Sequence, residues 1–135
     1  MSSMFEVVAG RIVNPPELGE PKGFSHAVVS GQTVYLAGQI GEGETLAEQF
    51  GGAAKNLLAA LRAAEGKPED VVWLQVFVTD IGEYRSSSRE LGRVWREHFG
   101  RHYPAMGLFG VTELFEPAAK VELMGIAVLG DSAET

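Results

Sequence analysis

Three residues of this 135-residue chain have the type and setting to move a proton: Glu113, Glu122 and His26. Glu122 lies in the apolar run 120–128, two residues before Met124, so on a strand the two side chains share a face. That places a carboxylate where it could serve as a base. The plainer alternative is a rim residue paired with a neighbouring Lys or Arg. Glu113 directly follows the apolar run 103–111. An acid at the mouth of a cleft would favour a cationic or amine ligand, while in a turn it is simply solvated. His26, after Ser25, has the ring for acid or base work near neutral pH, or for a structural hydrogen bond to backbone at a strand.

Other spacings carry less chemistry. His98 and His102 stand four apart, which suits zinc, but no third ligand lies at metal spacing and Gly100 breaks the helix between them. Gly38-x-x-Gly41-x-Gly43 has no Walker lysine and no strand-loop-helix fingerprint, so it reads as turn chemistry. Ser86, Ser87 and Ser88 read as helix-start residues. No metal and no cofactor are expected.

Composition narrows the classes. Hydrophobic residues make up 45% and charged residues 21%, a mix suited to one globular domain over 1–135. Cysteine is absent, which removes disulfides and thiolate chemistry. No apolar run is long enough to span a membrane and no secretory signal is visible, so a cytoplasmic protein without a membrane partner is expected. A net charge of -7 repels phosphates, which makes a nucleic-acid partner unlikely. Arg85, Arg89, Arg93 and Arg96 could form a basic stripe, but Glu90 and Glu97 interleave with it and a solvated helix face is the simpler reading.

The positioning elements follow from periodicity. Strands are predicted at Phe5–Val8, with a second candidate at Arg11–Val13, and at Phe24–Val29 and Thr33–Ala37, the last two joined as a hairpin. Thr45 and Glu48 form a capping box at the start of a helix over 45–65, with Leu46, Phe50, Ala53, Leu57 and Leu61 in one stripe. Val71–Thr79 is apolar on both faces, as a central strand covered on two sides would be. Two helices can cover one face, so the other calls for a partner subunit. Asp80-x-x-Glu83 opens a second helix that runs to Gly100. The runs 103–111 and 120–128 read as two strands, and Glu113–Pro117 between them is short enough for a hairpin. The order β-β-β-α-β-α-β-β implies an α+β fold, a mixed sheet with two helices on one face. The methionines read as gap-filling core.

Several segments together resemble the Rid (YjgF) family, the reactive-intermediate deaminases, also known as L-PSP-type endoribonucleases. Phe24-Ser25-His26-Ala27-Val28 is similar to the family's Tyr-Ser-His-Ala-Val run, and Leu36–Gly41 to its Ser-Gly-Gln-Ile-Gly strand end. Val76–Asp80 matches its Val-Phe-Val-x-Asp signature; Gln49–Gly66 and Trp95–Ala105 match its first helix and the exit from its second. The resemblance covers nearly the whole chain. It implies a chorismate-mutase-like fold and a homotrimer whose sheets form a central barrel, with a small-molecule cleft at each subunit interface. It places Phe24, Ala37, Gly38, Met106, Gly107 and Met124 at that cleft.

The chain departs from the family where the chemistry lies. In the deaminases an arginine follows the Pro-Ala pair and binds the substrate carboxylate, and a glutamate in the final strand positions water. Met106 and Met124 hold those places here. Phe24 stands for the family's tyrosine, and Gly92 aligns with an asparagine that some members carry. Three readings follow: a divergent trimer that hydrolyses an imine or enamine without the arginine, a non-catalytic ligand-binding or regulatory trimer, and an RNA-cleaving protein, which the acidic charge disfavours.

Overall fold

The chain is described by a computed structural model over residues 10–130, so the strand predicted at Phe5–Val8 lies outside the described residues. Six strands, β1 (Arg11–Val13), β2 (Ala27–Ser30), β3 (Thr33–Gln39), β4 (Val71–Val78), β5 (Ala105–Gly110) and β6 (Val121–Val128), form one sheet in the order β1-β2-β3-β6-β4-β5. Helix α1 (Leu46–Ala63) follows β3; α2 (Ile81–Ser86) and α3 (Ser88–Phe99) follow β4. The fold is the mixed α+β arrangement that the sequence predicts.

The capping box at α1 forms in full. Thr45 Oγ1 accepts from the Glu48 N–H at 3.1 Å, and Glu48 Oε1 accepts from the N–H groups of Glu44 and Thr45 at 2.9 and 3.2 Å. At the second helix only half the box forms. Asp80 Oδ1 accepts from the Glu83 N–H at 3.0 Å, but the Glu83 carboxylate turns to Lys120 Nζ at 3.3 Å instead of reaching back. This helix, expected in one piece, breaks at Ser87 into α2 and α3.

The hairpin expected at Glu113–Pro117 does not form. β5 runs parallel to β4 at the sheet edge, returned by α2 and α3, while β6 enters between β3 and β4 and is antiparallel to both. The intervening helices carry the chain back to start β5 beside β4 in the same direction, which gives a parallel pair. Alternation alone identifies a strand and leaves its partner open.

The sheet has one filled face and one open face. Val34, Leu36, Leu74, Val76, Val121 and Leu123 are buried beneath α1 and α3, against Phe50, Leu57, Leu61, Leu91 and Trp95. On the other face Tyr35, Met124, Val128 and Phe109 remain 36–50% exposed. In β4 the alternation is visible directly: Leu74 and Val76 are buried, and Trp73, Gln75 and Phe77 on the opposite side are only half-buried.

Candidate functional site

A hollow of about 650 Å³ opens on the uncovered face, where β3 meets β6. A bulge in β3 shapes it. Leu36 pairs with Gly125 and Gln39 with Leu123, so Ala37 and Gly38 together oppose the single residue Met124. Phe24, Ala37, Gly38, Glu122 and Met124 line the hollow, with Lys22, Phe115 and Glu116 at its margins. Gly38 leaves room for the Glu122 carboxylate: a Cβ there would push that side chain aside.

Glu122 is half-buried on β6 and paired across the sheet with Phe77, which stacks on Phe109 at 5.6 Å. Burial in these surroundings pushes its carboxyl above the usual carboxylate range. Among the described residues the one ion pair is Lys120–Glu83, so no Lys or Arg closes on Glu122 within 4.0 Å.

His26 forms the floor of the hollow and is buried. Its Nε2 lies 3.1 Å from the Gly19 carbonyl oxygen, which can only accept, so that nitrogen carries the hydrogen. Nδ1 then accepts from the Gln39 side-chain amide at 3.0 Å, and the backbone N–H donates to Asn14 Oδ1 at 2.8 Å. Both ring nitrogens are engaged in fixing the 14–19 segment to the end of β3. Phe24 stands edge-on to the ring at 5.3 Å and is 53% exposed.

Met106 lies elsewhere. In the sheet register Gln75 pairs with Met124 and Leu74 with Met106. Leu74 and Gln75 are successive residues, so the two methionines project from opposite faces. Met106 lines a slot of about 250 Å³ on the helix side of β5, with Tyr84, Ser88, Leu91, Gly92, Trp95 and Tyr103. Trp95 is clamped between Phe99 and Tyr103, with ring centroids at 4.1 and 6.2 Å, and its Nε1 donates to the His102 carbonyl at 3.1 Å. Burial raises the Tyr84 hydroxyl's pKa. His102 Nε2 donates to the Val71 carbonyl at 2.7 Å, so this ring too is fixed structurally.

Gly107 lies on the open face beside Gln75, where a Cβ would strike the Phe109 ring at 2.8 Å. Glu113 is exposed in the loop after β5 and lines neither hollow.

Sequence reasoning missed several participants. Lys22, Gln39, Phe115 and Glu116 border the open-face hollow. Phe115 is fully exposed, and an aromatic between Leu114 and Glu116 in an otherwise turn-like stretch was the available signal. Gln49 was read as helix only. It is buried and ties two loops together, donating to the Gly43 and Ala118 carbonyls at 3.0 and 3.1 Å and accepting from the Lys120 N–H at 2.7 Å. It thereby anchors the C-terminal end of the segment that carries Phe115 and Glu116.

The fold agrees with the comparisons to known proteins. The family described as Endoribonuclease L-PSP matches residues 17–129, and the chain belongs to that family, also called YjgF or Rid. It is 33% identical over 128 residues to a 2-iminobutanoate/2-iminopropanoate deaminase of Dermatophagoides farinae, covering 88% of this chain and 96% of the relative. It is 26% identical over 138 residues to the human protein of the same name, covering 96% and 95%. A solved member of the YjgF/YER057c/UK114 family from Mycobacterium tuberculosis superposes with a TM-score of 0.75 at 33% identity, over 88% of this chain and 98% of the other.

Proposed function

We propose that this chain assembles as a homotrimer and hydrolyses a small, largely apolar imine or enamine in clefts between subunits, without the arginine-dependent route to 2-imino acids. The observation that carries this reading is the split of the candidate site. The Met106 slot and the Glu122–Met124 hollow lie on opposite faces of one sheet, so one chain cannot join them. A second copy laid on the open apolar face supplies the missing wall.

Relatives named as 2-iminobutanoate/2-iminopropanoate deaminases support a C=N bond as the reacting group. Those substrates are carboxylates, and the strand position that resembles the deaminase arginine holds Met106, which has neither charge nor donor. Of the three candidate bases, Glu122 has the best placement, because both nitrogens of His26 are already bonded and Glu113 faces solvent.

The test is ammonia release from freshly generated 2-iminopropanoate. Wild type is expected to stay at the spontaneous rate, and the Met106→Arg/Met124→Glu double variant to exceed it. Acceleration by wild type would show that the arginine is dispensable and would overturn the exclusion of 2-imino acids as substrates. A wild type that binds small apolar compounds yet hydrolyses no imine would favour the ligand-binding trimer.

A further inference from the structure

Among the described residues Phe115 is the most exposed of the large apolar side chains. A lone exposed aromatic needs no explanation. This one borders the open-face hollow, where Phe24, itself more than half exposed, is a second aromatic and Met124 a further apolar group. The hollow, at about 650 Å³, is far larger than the roughly 150 Å³ in which an apolar cavity holds benzene. An imine carrying only a methyl group would leave most of that space to water. A phenyl-sized substituent would fill more of it and still leave the margin open, and Phe115 stands at that margin.

The chain around Phe115 is held at both ends and loose between them. The Val111 N–H donates to the Val78 carbonyl at 2.9 Å, one residue past the end of β5. At the other end Gln49 holds Ala118 and Lys120, and the Lys120 carbonyl accepts from the Thr79 N–H at 3.1 Å. The Ala119 N–H closes a turn on the Glu116 carbonyl at 2.9 Å. No backbone hydrogen bond ties residues 112–115 to another described residue. Swinging Phe115 inward therefore breaks no backbone hydrogen bond, while the two anchors keep the ring beside the hollow.

We propose that Phe115 is a specificity-determining residue of this cleft: it closes over an aromatic substituent on the imine carbon and leaves a methyl-substituted imine uncovered. The inference rests on the imine-hydrolysis reading above and names the substrate class within it. An aromatic ring in the hollow would meet Phe24 and Phe115, and removing these ring faces from water is what favours closure. Closure is a binding step and changes no bond. The competing role for an exposed Phe115 is a contact with a second copy of the chain, and the two roles predict different responses to its removal.

The test uses the assembled full-length protein and two stable C=N analogues with the same amidinium group, benzamidine and acetamidine. They differ only in phenyl against methyl. Calorimetric titration reads each affinity, and light scattering reads the mass of each variant. Wild type is expected to bind benzamidine at least about tenfold tighter than acetamidine. Phe115→Ala should lower the benzamidine affinity by about tenfold and leave that of acetamidine unchanged, at unchanged mass. Phe115→Trp, which keeps an aromatic face, should hold the preference. Ile12→Ala, an exposed apolar site on β1 outside the hollow, should change neither affinity. Amide hydrogen exchange over residues 112–116 should slow under saturating benzamidine and not under acetamidine. Exchange that benzamidine leaves unchanged, or a phenyl preference that survives Phe115→Ala at unchanged mass, would overturn the proposal and leave the cleft reading intact. A fall in both affinities together with a lower mass would also overturn it, because Phe115 would then be a contact between copies. Failure of wild type to bind either amidine would overturn the cleft reading, and the proposal with it.

Discussion

The two faces of the sheet share residue types and differ in what answers them. Beneath α1 and α3, Val34, Leu36, Leu74, Val76 and Leu123 meet helix residues of the same chain and are nearly inaccessible. On the opposite face Tyr35, Trp73, Phe77, Phe109, Ile126 and Val128 form an equally apolar surface with no described helix above it. Exposed apolar patches of this kind mark association or ligand sites. The filled face therefore holds the chain folded, and the open face is the one left for the association and the chemistry proposed above. The site's only strand carboxylate, its bulge and its exposed aromatics all lie on the open side.

Substitutions separate these roles. Ile126 sits on the open face between Tyr35 and Trp73, half-buried. Ile126→Glu places a charge where another copy is expected to pack, and the mass by light scattering should fall from three chains to one. A mass unaffected by this change would break the division between the faces. On the filled side, Leu57 of α1 is wholly buried against the sheet. Leu57→Ala is expected to cost about 2–5 kcal/mol of folding stability through lost contacts and the cavity left behind, read by denaturant unfolding. The mass of its folded form by light scattering should stay that of wild type.

Local signals carried most of the fold. The Thr45/Glu48 box and the Leu46–Leu61 stripe are short-range patterns, and α1 starts where they place it. Its end was less legible, because Glu65 takes the left-handed conformation at φ 73° while Gly66 serves by lacking a Cβ that would strike Leu61. Strand pairing was not legible. The segment Glu113–Pro117 looks like a hairpin from its length, and only the return path through α2 and α3 puts β5 beside β4. That pairing in turn decides which way Met106 points, so its separation from Met124 could not be read from either strand alone. Glu122 was visible as a carboxylate near Met124. Its isolation was not, since Phe77 and Gly38 adjoin it from two other strands, with Phe109 stacked on the far side of Phe77.

The smallest expected effect is also the most direct check on that isolation. Glu122 titrates above its ordinary value in the folded state because burial disfavours the charged form. Below the usual carboxylate range it is protonated whether the chain is folded or not, and the folded state has no penalty. As pH rises through the raised folded value, the folded chain must ionise a carboxyl among Met124, Phe77 and Gly38, so stability is lost until titration is complete. Glu122→Gln has no such proton to lose. The stability of wild type relative to this variant should be flat at low pH, decline from the carboxylate range upward, and then level. The decline should be at most a few degrees in Tm, since the group is only half-buried and solvent screens the rest. The Glu48 carboxyl, held below its usual range by the N–H groups of Glu44 and Thr45, titrates in the opposite sense, but it is common to both proteins and cancels in the difference. A difference that stays constant across pH would mean that Glu122 is solvated as any rim residue is, and the open face would lose its reason to hold a carboxylate.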